Sequence, residues 1–182
     1  MSGNPPLRQA CLIVLVGAPA SGKSTWAQRN GHGAVHISQD GLIDAITPQG
    51  FDHVYRPVYA AAEDALASAA LREGHTVIVD RTNRTRGHRG RWLKIAQEVN
   101  APAIAVEMAA SAEVCRMRNR ARIGPRRLTE ERISRMLHAL EPVHREEGFS
   151  AIYTGEVTLM EILSDMFPER RAESHEHCYT PR

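Results

Sequence analysis

The stretch Gly17-Ala18-Pro19-Ala20-Ser21-Gly22-Lys23-Ser24 decides how the rest of this chain is read. It follows the pattern G-x-x-x-x-G-K-S. The apolar run Cys11–Val16 leads into it, and Thr25, Trp26 and Ala27 follow with no helix breaker before Gly31. A buried strand, a glycine-rich turn and a helix start are expected in succession, which is the context in which this pattern cradles a polyphosphate. Glycines let backbone N–H groups wrap phosphate oxygens with no Cβ in the way. The helix beginning near Lys23 aims the positive end of its dipole at the same point. The loop from Gly17 to Thr25 is therefore expected to hold ATP. Lys23 should reach the β- and γ-phosphates, and the Ser24 hydroxyl should hold Mg²⁺.

Outward from the loop, strand and helix signals alternate. Apolar runs at Cys11–Val16, Ala34–Ile37, Thr76–Val79, Ala103–Met108 and Ala151–Tyr153 read as five strands. Helices are expected from the loop to Asn30, over Gly41–Ile46, from Pro57 to Glu73, from about His88 to Val99, after Ser111, after Thr129, and over Leu159–Phe167. In the long helix, Val58, Ala62, Ala65, Leu66 and Ala69 share one side and are expected to face the core. Such alternation predicts an α/β fold, a mainly parallel sheet with helices on both faces. Ligands of such sheets sit beyond the carboxyl ends of the strands. Residues 1–10 and 168–182 lack apolar periodicity and are expected to be a disordered start and a mobile tail around one domain, 11–167.

Composition sets bounds. The 182 residues are 42% apolar and 24% charged with a net charge of +2, ordinary for one soluble domain. No apolar run has membrane-spanning length, and Met1–Gln9 lacks a signal-peptide core, so a cytoplasmic protein is expected. Three scattered cysteines suggest no disulfide framework. The basic side chains are arginines except for Lys23 and Lys94, and arginine grips phosphate in two places. A GC-rich coding sequence would give the same bias. His175-Glu176-His177-Cys178 resembles a metal tract but lacks a fourth partner at zinc spacing.

Phosphoryl transfer needs a cradle, a metal, a base for the acceptor hydroxyl and positive charge on the moving group. Asp40, just past the second strand, is the candidate base; the alternative is that it caps the helix that follows. His36 is a rival for proton transfer. Asp80 ends the third strand and could hold Mg²⁺, while Thr82 and Asn83 could bind the acceptor or only organise a turn. Arginines at 116, 118, 120, 122, 126 and 127 suggest a lid whose charge serves the transition state. A second basic group, Arg81, Arg84, Arg86, His88, Arg89 and Arg91, could hold backbone phosphates of a polymer. Phe51 and Tyr55 are candidates to stack bases, and Trp92 reads as core.

With these residues in hand, the chain resembles the P-loop kinases of the polynucleotide 5′-kinase family over roughly residues 11–155. Gly17–Trp26, Ile37-Ser38-Gln39-Asp40, Val79-Asp80-Arg81-Thr82-Asn83 and Cys115–Arg122 carry the resemblance, with Glu147-Gly148-Phe149 as a weaker match. It implies an NMP-kinase-like three-layer P-loop NTPase fold, with a five-stranded sheet and an arginine-rich lid at about 116–128. It implies Asp40 as general base, Lys23 and Arg122 as further catalytic groups, Arg118 and Arg122 on ATP, and Ser24 and Asp80 on Mg²⁺. Thr82, Asn83, Arg84 and Arg86 join Asp40 on the acceptor side. Ile43 departs from the pattern; the phage polynucleotide kinase has an arginine at that place. A related phage group that phosphorylates 5-hydroxymethyluracil within DNA is similar in size and motifs. Small-molecule kinases share the core. The expectation is a kinase acting on a nucleic-acid hydroxyl, DNA before RNA, in the host cytoplasm if phage-encoded. A small-molecule kinase and a nucleotide-dependent switch are the alternatives.

Overall fold

The computed structural model describes residues 10–168. The expected disordered start, the tail and its His175–Cys178 tract lie outside them, apart from Ala10 and Pro168. Five strands form one fully parallel sheet: β1 (Leu12–Val16), β2 (Val35–Ser38), β3 (Val77–Asp80), β4 (Ala103–Glu107) and β5 (Ala151–Thr154). Their order across the sheet is β2-β3-β1-β4-β5. The connecting helices are α1 (Lys23–Asn30), α2 (Gln39–Ile46), α3 (Arg56–Arg72), α4 (Arg86–Glu98), α5 (Ala112–Arg120), α6 (Glu130–His138) and α7 (Leu159–Met166).

β1 is central and buried throughout, as the unbroken apolar run requires of a strand covered on both faces. Its side chains alternate between two cores. Leu12, Val14 and Val16 pack with Ala67, Ala70 and Leu71 of α3 and with Trp92, Ile95 and Ala96 of α4. Cys11, Ile13 and Leu15 pack with Trp26 and Ala27 of α1 and with Leu159 and Ile162 of α7. The result is helix–sheet–helix, and all five strand ends that follow the chain direction share one rim.

Three expectations are corrected. α2 begins at Gln39, two residues early, because Ser38 caps it: its Oγ accepts from the Gly41 N–H. Asp40 is thus not the cap. α4 begins at Arg86, capped by Thr85, whose hydroxyl accepts from the His88 N–H. In α3 the buried face is Tyr59, Glu63, Ala67, Ala70 and Leu71, not the expected set; Val58 is 48% and Leu66 39% exposed. The reason is ionic. Glu63 is fully buried and bonds Arg81 (2.5 Å) and Arg91 (3.0 Å), so a carboxylate that apolar periodicity assigns to solvent turns the helix inward.

Candidate active site

The loop after β1 is built for close approach. Gly17 has φ +154°, and a Cβ there would stand 2.7 Å from Ser21 Oγ. Gly22 has φ +110°, and a Cβ there would face an Arg118 guanidinium nitrogen at 3.7 Å. Only glycine fits both places without strain. Ala20 also takes a left-handed conformation, φ 63°.

Lys23 is only 7% exposed. Its ammonium donates to the Gly17 carbonyl (3.1 Å), the Ala18 carbonyl (2.7 Å) and, at 3.4 Å, to Ser21 Oγ. No carboxylate touches it among the described residues. Burial pulls its pKa from 10.5 down to about 8, and Arg122 pushes the same way; Asp80, Cys115 and Asp40 oppose the shift. A buried cation held only by neutral oxygens, beneath glycines that no Cβ crowds, is a fit for an anionic phosphate.

Asp40 is exposed in the first turn of α2, where the helix dipole favours its negative charge. Asp80 is 7% exposed at the end of β3, in register with Ser38. One of its oxygens meets His36 Nε2 at 3.3 Å. Asp80 carboxylate and the exposed Ser24 hydroxyl are hard oxygen donors of the kind Mg²⁺ takes.

The loop Arg81-Thr82-Asn83 straps the site together. The Gly17 N–H donates to the Thr82 carbonyl at 3.1 Å. Asn83, φ 42°, is 2% exposed. Its amide donates to the Leu15 carbonyl (2.8 Å) and accepts from Trp92 Nε1 (3.0 Å). Of the two roles expected for Asn83, its side chain takes the organising one here, tying β3's loop to β1 and α4. Thr82 stays half-buried at the rim.

The second basic group is mostly internal as well. Arg89 is fully buried, paired with both Glu147 oxygens (2.7 and 2.6 Å) and with the carbonyls of Asn83, Glu141 and Pro142. Burial works against the Glu147 charge, yet Arg89 and the His144 N–H outweigh it and hold its carboxyl below the usual range. Arg81 and Arg91 serve Glu63. Arg84 is half-buried with its Nε unpartnered among the described residues, and Arg86 is exposed, its guanidinium donating to the Glu146 carbonyl at 3.5 Å.

α5 and the segment after it carry the arginines of the expected lid. Arg118 donates to the Ser21 carbonyl at 3.4 Å, and Arg122 to the Arg126 carbonyl at 3.4 Å. Arg116 pairs with Glu130, and Arg126 reaches across to Asp44 of α2 at 3.4 Å. Buried Asn119 closes the lid loop by bonding both the N–H and the carbonyl of Leu128. Between the loop, α1, the lid and the β5–α7 turn lies a cavity of about 890 Å³. Met108, Arg29 and Gly155–Thr158 line it beside Arg118 and Arg122. The sequence reading missed these residues. Trp26, whose indole donates to the Val157 carbonyl at 2.7 Å, fixes that turn, and no local pattern announces a contact 131 residues away.

Comparison with known proteins agrees with this fold. The profile of the AAA domain family matches residues 12–143. A bifunctional polynucleotide phosphatase/kinase of Schizosaccharomyces pombe is 31% identical over 110 residues, 59% of this chain and 23% of that protein's length. The chain thus spans about a quarter of this curated relative. Among solved structures, a protein of Chloroflexus aurantiacus superposes with a TM-score of 0.67 at 19% identity, covering 92% of this chain and 98% of the other. A chain of the Pnkp1/Rnl/Hen1 RNA repair complex gives 0.62 at 22% identity, over 77% of this chain and 47% of that one. The APS kinase CysC of Mycobacterium tuberculosis, in complex with AMPPNP and APS, gives 0.58 at 18% identity, over 92% and 99%.

Proposed function

The chain belongs to the AAA domain family, and we propose that it is an ATP-dependent kinase that transfers the γ-phosphoryl group to a hydroxyl of a nucleic acid, in the manner of a polynucleotide 5′-kinase. The observation that carries this reading is the company Lys23 keeps. Lys23 lies buried on the carbonyls of its own loop, Arg118 reaches the Ser21 carbonyl of that loop, and Asp80 ends β3 and exposed Asp40 follows β2 on the same rim. A nucleotide-dependent switch needs no exposed carboxylate opposite its phosphate lysine; a transferase does.

Asp40 accepts the proton of the acceptor hydroxyl as that oxygen attacks the γ-phosphorus. The bond from the γ-phosphorus to the bridging oxygen breaks, and ADP leaves. Lys23 and Arg122 of the lid stabilise the charge that spreads over the transferring group, while Arg118 holds ATP. Ser24 and Asp80 would hold Mg²⁺, whose chemistry is to neutralise phosphate charge. The kinase named in the Schizosaccharomyces pombe relative supports a polynucleotide acceptor. A small-molecule acceptor is the second reading, favoured by one observation: Arg81, Arg89 and Arg91 are engaged internally and leave fewer cations for a polymer. No helix among the described residues is long and apolar enough to cross a membrane.

The test is transfer of labelled γ-phosphate from ATP to an acceptor panel: 5′-OH DNA and RNA oligonucleotides, hydroxymethyluracil-containing DNA, sugars and nucleosides. Transfer to a polynucleotide is the expected result. Transfer to small molecules alone would replace this reading with the second.

A further inference from the structure

Phe51–Val58 is exposed along its whole length. Phe51 (46%), Val54 (78%), Tyr55 (43%) and Val58 (48%) are half of the large apolar side chains exposed among the described residues. Apolar surface gathered into eight consecutive residues marks a contact surface, whereas scattered single residues would not.

The segment is held from beneath. The Phe51 ring lies 5.6 Å from buried Tyr59, tilted 35°, and 5.0 Å from His53, edge-on. The Tyr59 hydroxyl bonds Thr47 Oγ1 and accepts from the Asp52 N–H at 3.3 Å. The Asp52 carboxylate in turn accepts from the Val54 N–H at 2.9 Å. The Phe51 ring and the backbone that carries Tyr55 are thus held before anything binds, which lowers the ordering cost of binding.

Its place follows from the topology. The C-terminal end of α3 hands over to the start of β3, where the His75 N–H donates to the Ala70 carbonyl. Glu63 is level with Arg81, one residue past the rim. Arg56 lies seven residues before Glu63, about 10 Å farther along the helix. The segment therefore stands above the rim, against α2, whose first turn carries Asp40. It joins the far end of α2, about 12 Å from that first turn.

Resting on the acceptor reading above, we propose that Phe51 and Tyr55 form a stacking platform for a base of a single-stranded acceptor, the first or second from the hydroxyl at Asp40. Two aromatic rings offer every base a flat face. Exposed Arg56, whose backbone N–H bonds the His53 carbonyl but whose guanidinium makes no hydrogen bond or ion pair among the described residues, stands beside them to meet the adjoining backbone phosphate. A free sugar has no aromatic base to stack there.

The experiment measures kcat and KM for γ-phosphate transfer to a single-stranded 5′-OH oligonucleotide, intact or abasic at the first or second position. The proteins are wild type, F51A/Y55A, F51L/Y55L, and M160A as a control on an exposed residue of α7. An abasic position should raise the wild-type KM about 5- to 100-fold. Both double variants should raise KM for the intact strand by a similar factor and stop distinguishing it from the abasic one. F51L/Y55L, which keeps the apolar volume, carries the test if F51A/Y55A fails to fold. M160A should match wild type. An unchanged intact-to-abasic ratio in the double variants would overturn the platform and leave the kinase reading standing. No transfer by wild type to any polynucleotide would overturn the acceptor reading, and the platform with it.

Discussion

Raising the pH should weaken nucleotide binding while stabilising the free protein. Lys23 loses its proton near pH 8 in the folded chain, against 10.5 for an ordinary lysine, chiefly because it is buried. That difference corresponds to about 3 kcal/mol against the charged form. A phosphate at Lys23 would restore the higher pKa, since an anion favours the ammonium. Between about pH 8 and 10 the complex then holds a proton that the free protein has lost. Affinity should fall about tenfold per pH unit there, so binding at pH 9 should be about one tenth as tight as at pH 7. In the same window the unfolded chain holds more protons than the folded one, so stability of the free protein should rise with pH. The two opposite slopes are the signature. Titration calorimetry of ATP in EDTA, from pH 7 to 9.5 and in two buffers of different ionisation enthalpy, reads both affinity and proton uptake. The variant K23R, always charged, should lose the pH dependence whatever its affinity. Affinity constant within twofold across that range, with no proton uptake, would refute the reasoning.

Further outcomes follow from the same geometry. R118A should chiefly raise KM for ATP, because Arg118 lies on the Ser21 carbonyl of the loop, whereas R122A should chiefly lower kcat; steady-state kinetics separates the two. N83A removes the bonds to Leu15 and Trp92 and should cost about 1–3 kcal/mol in urea denaturation. E147Q leaves Arg89 buried beside a neutral partner and should cost about 3–5 kcal/mol by the same assay. The Glu147 carboxyl titrates below its usual range in the folded chain. The stability it lends is therefore present above the unfolded carboxylate pKa and lost as pH falls through the folded one, and E147Q should flatten that acid limb.

The sequence made the sheet legible because its signals are local. Leu12–Val16 has to be a doubly covered strand, and Gly17–Ser24 has to be a glycine turn into a helix. Asp40 and Asp80 could be brought to one rim by topology alone. What stayed hidden depends on partners far along the chain. Glu63 looks like a surface carboxylate until Arg81 and Arg91 meet it. Arg89 looks like part of a phosphate-binding patch until Glu147, 58 residues on, claims it. Asn83 looks like a ligand group and is a rivet between β1 and Trp92. Charge runs show where cations are, and only the fold shows which are already neutralised.

The central claim is that Asp40 takes a proton from a nucleic-acid hydroxyl as ATP gives up its γ-phosphate. The most direct measurement is the initial rate of labelled γ-phosphate transfer to a 5′-OH oligonucleotide by wild type and by Asp40→Asn, with ATP binding measured alongside. The account predicts a rate lower by about 10²- to 10⁴-fold in the variant, with ATP affinity nearly unchanged. A variant rate within threefold of wild type would contradict it.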